Sequence, residues 1–90
     1  MASPRADRRA VPRIPSSGLV EITFGDAVPM TIEGEMLEAS ERGFRAAHNS
    51  TLLEPGLDVF FRKSGEMPAR ARVIWTHVLG SRRVSGFLIL

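Results

Sequence analysis

An all-β fold is what this sequence predicts, a small antiparallel barrel or sandwich behind an extended, arginine-rich N-terminal arm. Three observations carry that expectation. Apolar and polar residues alternate in a series of short runs, Gly/Pro/Ser-rich turns separate the runs, and no stretch of the ninety residues has the periodicity of a helix.

The runs follow in order. In "GLVEITFG", from Gly18, Val20, Ile22 and Phe24 alternate with Glu21 and Thr23, the period of a half-buried strand, and "GDAVP" supplies the turn. "MTIEGEMLEA" then sets Met30, Ile32, Gly34 and Met36 against Thr31, Glu33 and Glu35, with Gly34 expected to mark a bulge or bend. "SERG" ends it. A short strand around "FRAAH" leads into "NSTLLEPG", where Pro55-Gly56 reads as a tight turn before the strand "LDVFFR". After the turn "KSGE" comes the longest signal, "ARARVIWTHV", with Ala69, Ala71, Val73, Trp75 and His77 on one face and Arg70, Arg72 and Thr76 on the other. "LGSR" turns it into the closing run "RVSGFLIL".

At this length and 43% apolar composition there is room for one core only. The chain divides into an arm, residues 1–15, and a barrel, residues 16–90. The absence of Cys removes disulfides, thiolate zinc sites and thiol nucleophiles, and suits the cytoplasm. No run approaches the roughly 20 apolar residues of a membrane span, so no membrane insertion is expected. The N-terminus has no apolar signal-peptide core, and Asp7 with Pro4, Pro12 and Pro15 spoils the amphipathic helix of a transit peptide.

Charge is unevenly spread. The overall +2 conceals an arm holding Arg5, Arg8, Arg9 and Arg13 against Asp7, a net +3 over thirteen residues that leaves −1 for the rest. Lys63 is the single lysine among twelve cationic residues. Arginine suits bidentate recognition of phosphate or guanine edges, although a GC-rich coding sequence produces the same bias. In the arm segment "DRRAVPRIP" the two prolines forbid helix and hold the guanidinium groups on extended backbone.

Most candidate chemistry is outweighed by a plainer reading. His48 and His77 lie far apart without Cys partners, so no metal site is expected and His77 reads as a wall or rim residue. There is no G-x-S-x-G elbow, no H-E-x-x-H and no Gly-rich loop entering a helix, so no enzyme is expected. Glu33 and Glu35 on one strand face read as solvated charge rather than an acid/base pair. Trp75, Phe60 and Phe61 read as core packing, with at most one of the adjacent phenylalanines exposed.

One combination stands out. "R-A-V-P-R", Arg9 to Arg13, gives Arg-x-x-x-Arg, and "E-A-S-E-R-G", Glu38 to Gly43, gives acid-x-Ser-x-x-Gly at a strand end. With "RIP", "FRA", "LEPGLDVFF", "ARARVIW" and "SGFLI" in this order, the chain resembles the PilZ domain over most of its length. The resemblance implies a six-stranded antiparallel barrel that binds the bacterial second messenger cyclic di-GMP, with no other cofactor. Arg9 and Arg13 would be the arm's ligands, and Glu38, Ser40 and Gly43 the barrel's half of the site. Arg8, just before the motif, implies a stacked pair of ligands. The family opens its second motif with Asp or Asn where this chain has Glu38, one methylene longer, so Glu38→Asp is expected to tighten binding.

The function expected from that resemblance is a cytoplasmic receptor whose arm folds onto the barrel and presents a surface to an unknown protein partner. One alternative is a degenerate domain that binds protein without nucleotide. Another is a small barrel for single-stranded nucleic acid, disfavoured by the near-neutral charge beyond the arm. The apolar "FLIL" at the end allows a weak homodimer as well as a monomer.

Overall fold

The computed structural model describes residues 14–15 and 18–90, and within them the chain is all β. The strands are β1 (Ile14–Pro15), β2 (Leu19–Phe24), β3 (Met30–Ala39), β4 (Gly43–His48), β5 (Asp58–Lys63), β6 (Ala69–Leu79) and β7 (Arg82–Ile89). All pairings are antiparallel, in the order β3-β2-β5-β6-β7-β4, and β4 pairs back onto β3. Six strands therefore close a barrel, which removes most exposed sheet edges. β1 is added beside the far end of β3, with Ile14 opposite Ala39 and Pro15 opposite Glu38. The last two residues of the expected arm thus belong to the sheet. Arg8, Arg9 and Arg13 lie outside the described residues.

The interior is the apolar set that strand alternation predicts. Val20, Ile22, Ala46, Val59, Ala71 and Val73 are buried, and Leu53 from the β4–β5 loop closes over them. Phe44 lies between Phe61 and Phe87, each with its ring centroid 4.6 Å away, the Phe87 ring nearly parallel. Of the adjacent phenylalanines, Phe61 packs against the core and Phe60 is exposed, as opposite strand faces require.

Two register shifts correct the period-two reading. In β3 the shift falls between Met36 and Glu38, so Leu37 is the extra residue, while Gly34 is regularly paired with Val20. Gly34 instead allows close approach, since a Cβ there would sit 3.1 Å from the Ala47 carbonyl oxygen. In β6 the shift falls between Val73 and Trp75, which makes Ile74 the extra residue. A one-residue bulge exchanges the faces of everything beyond it. Glu38 accordingly joins the outer face and Ala39 packs inward. Trp75 and His77 leave the face of Ala71 and Val73, and Thr76 turns in to meet the buried Ser85.

The closing run does not offer a free edge. β7 is paired to β4 on one side and β6 on the other, and Ile89 and Leu90 donate their amides to the Arg42 and Arg70 carbonyls at 2.7 and 3.0 Å. No helix of the described residues is long and apolar enough to cross a membrane.

Candidate ligand-binding face

The turn between β3 and β4 is built by its own sequence. The Ser40 amide donates to the Gly43 carbonyl at 2.8 Å, and the Ser40 hydroxyl accepts from the Arg42 amide at 3.2 Å, a side-chain-stabilised turn. Gly43 is required by packing. A Cβ at that position would lie 2.2 Å from the Phe87 carbonyl oxygen, so the Ser-x-x-Gly pattern is here the condition for β4 to leave the turn flush against β7.

From this turn a row of residues crosses the outer wall. Pro15 is opposite Glu38, Glu38 opposite Arg45, Arg45 opposite Gly86, and Gly86 opposite Trp75. At roughly 4.8 Å between neighbouring strands, the row from β3 to β6 spans about 14 Å. The Arg45 guanidinium pairs with the Glu38 carboxylate through Nη2, both side chains being partly covered. The Nε of Arg45 is buried and has no hydrogen-bond partner among the described residues. Gly86 leaves room for the Trp75 indole, whose Nε1 and Cε2 would lie 2.4 Å from any added Cβ. The half-buried indole also meets the His77 imidazole, centroids 4.8 Å apart and tilted by 32°. Ser40, Arg42, Arg45, Trp75 and Gly86 line a cleft of about 170 Å³ on this face.

Of the barrel residues expected to form a site, Glu38, Ser40 and Gly43 are thus brought together. Arg45 and Trp75 are the two that sequence reasoning missed. A signal for Trp75 was present, since Val73-Ile74 is an adjacent apolar pair that breaks the alternation where the β6 bulge occurs; Arg45 had none of that kind.

The remaining charges on the wall are mostly paired. Glu21 binds Arg62 at 2.6 Å, Asp58 binds Arg72 at 2.6 Å and Arg70 at 3.4 Å, and Glu35 binds Arg82 at 3.3 Å. The hydrogen bond from Arg72 holds the Asp58 carboxyl below its ordinary range. A larger hollow of about 560 Å³ lies between Phe24, Asp58, Phe60 and Arg70; on its rim Asp58 and Arg70 are paired with each other, and Asp26 adds a further acid. Glu33 and Glu35 are both exposed; Glu33 reads as a solvated strand charge, whereas Glu35 carries the Arg82 pair. Among the described residues no group of three or more His, Asp or Glu is placed to hold a metal ion.

Fold and face together define a small closed barrel whose outer wall carries the Glu38–Arg45 pair and the Trp75 indole in one row beside β1. Comparison of the sequence with family models and with curated proteins finds no match.

Proposed function

We propose that this domain is a receptor for cyclic di-GMP, acting in the cytoplasm and without catalysis. The observation that carries the reading is the pairing of β1 with the end of β3. Ile14, the residue after Arg13 in the sequence, pairs with Ala39, and Pro15 with Glu38, so β1 lies beside Glu38 and the Ser40–Gly43 turn. Guanidinium groups grip the N7 and O6 acceptors of guanine bidentately, pair with phosphate and stack on a purine. Trp75 offers a ring to a base at the other end of the same row.

The energetics call for more than one arginine. Ordering an arm on binding consumes roughly 2 to 5 kcal/mol, and one good bidentate arginine contributes about 1 to 3 kcal/mol. Arg9, Arg13 and an aromatic contact together supply about 3 to 9 kcal/mol to set against that cost, and the folded arm would then form a surface for a protein partner. Arg8 favours binding of a stacked ligand pair.

Calorimetric titration with cyclic di-GMP beside GMP tests the reading. Saturable binding that is selective over GMP and lost in Arg13→Ala is the expected result, with two ligands per chain. No heat at high concentration would leave the second reading, a nucleotide-free interaction module, which the engagement of Glu38 by Arg45 favours. The single-stranded nucleic acid reading is weakened because Arg62, Arg70, Arg72 and Arg82 are each paired to a carboxylate of the same wall.

A further inference from the structure

Resting on that reading, we infer that Arg45 is a phosphate-binding residue of the same site, and that its ion pair with Glu38 is an exchangeable clasp which sets the affinity. Arg45 occupies the centre of the outer row, between Glu38 on β3 and the Gly86–Trp75 contact on β7 and β6. It lines the cleft together with Ser40 and Arg42.

The way Arg45 is used is incomplete. A guanidinium binds best as a fork, with two parallel N–H bonds to one oxyanion. Here Nη2 meets a Glu38 oxygen, while Nε, the other nitrogen on that edge of the group, is buried and unmet among the described residues. An orphaned buried donor is unfavourable, and a carboxylate fixed to the neighbouring strand leaves it so. A phosphodiester lying in the cleft has two free oxygens and can take Nε and an Nη nitrogen together. The exchange satisfies Arg45 and frees it from Glu38.

The clasp also accounts for the longer acid at position 38. Directly opposite residues have Cβ atoms about 5 Å apart, and the extra methylene of Glu carries its carboxylate further toward β4 than Asp would. The chain then holds its own competitor for the ligand's phosphate.

Four variants are titrated with cyclic di-GMP beside the unaltered domain, with the ¹⁵N–¹H signal of Arg45 Nε followed by NMR. Glu38→Gln, which weakens the clasp without shortening the side chain, is expected to tighten binding by up to about fivefold, the worth of a partly exposed ion pair. Glu38→Asp should tighten it too. Arg45→Lys, which keeps the charge and loses the fork, and Arg45→Gln should each weaken binding about tenfold. The Nε signal should shift on addition of ligand.

Arg13→Ala reports separately on the parent reading. If it abolishes binding while the Arg45 and Glu38 variants bind as the unaltered domain does, the receptor reading stands and the clasp is wrong. If only the Glu38 variants bind, the clasp is right and is closed too tightly in the natural chain. If none of these proteins binds, both ideas fall.

Discussion

Gly43→Ala is expected to destabilise the barrel by about 3 kcal/mol, the upper end of what an over-packed site costs. The added Cβ would meet backbone, not a movable side chain: the Phe87 carbonyl oxygen at 2.2 Å, its carbon at 3.4 Å and the Leu88 Cα at 3.6 Å. Neither strand is free to retreat. β4 is hydrogen-bonded to β3 as well as β7, β7 to β6 as well as β4, and the Arg42 carbonyl is tied to the Ile89 amide at 2.7 Å. In a domain of this size, with about 5 to 13 kcal/mol in total, such a loss should lower the melting temperature by roughly 12 °C or more. Thermal and denaturant unfolding measure it directly. An unchanged midpoint would show that the glycine is not held by packing. Binding experiments with this variant report on the shape of the turn, because Gly43 has no side chain to offer a ligand.

The second large effect is expected at His48. The His48 ring is 2% exposed and Ser85 wholly buried, and together they begin a chain of hydrogen bonds with a single consistent direction. The Ser50 amide donates to His48 Nδ1 at 3.1 Å, which leaves the ring proton on Nε2 to donate to Ser85 Oγ at 2.7 Å. Ser85 donates to Thr76 Oγ1 at 2.7 Å, and Thr76 donates to the Leu53 carbonyl at 3.1 Å. Read from either end, the protons run the same way. Ser85→Ala removes both an acceptor and a donor in the middle and should cost about 2 kcal/mol, measured by denaturant unfolding.

Protonation should break the same chain. A second ring proton would have to sit on Nδ1, facing the Ser50 amide. Burial first, then Arg83 and Arg82, hold the His48 pKa below its ordinary 6.5. In the interval between the lowered value and 6.5 the unfolded chain takes up a proton that the folded chain refuses. Stability from this group is therefore complete above about 6.5 and is lost as the pH falls below it. The depressed Asp58 carboxyl has the same sign, complete above its ordinary 3.8 and lost below, so the two windows are separate. Denaturation midpoints between about pH 7.5 and pH 5 should fall, and the slope should disappear in His48→Gln. A flat profile in the unaltered protein would contradict the assigned chain.

The strands were legible because each buries one face. Val20, Ile22 and Phe24, and later Ala71 and Val73, announce the interior by alternation alone. Turns were legible where backbone chemistry demands a residue type, as at Pro55-Gly56, where Gly56 has φ of +96°. What the alternation concealed were the two bulges. It assigned Trp75 and His77 to the face of the core because nothing in a period of two allows for an extra residue. Arg45 was missed for another reason. Its partners, Glu38 and Gly86, are defined by strand pairing, and pairing between strands is not a local property of sequence. That position 38 is a Glu was visible from the chain, but its pairing with Arg45 was not.

The bulges at Leu37 and Ile74 give the outer wall something like a reading frame. Upstream of each, odd and even positions have one assignment of inside and outside, and downstream they have the other. Removing either single residue would send Glu38 inward at one end of the row, or Trp75 inward at the other, while leaving every remaining residue unchanged. Along these two strands the wall therefore depends on residue count before residue kind: lineages of this domain should tolerate changes of identity at positions 37 and 74 far better than a change in number.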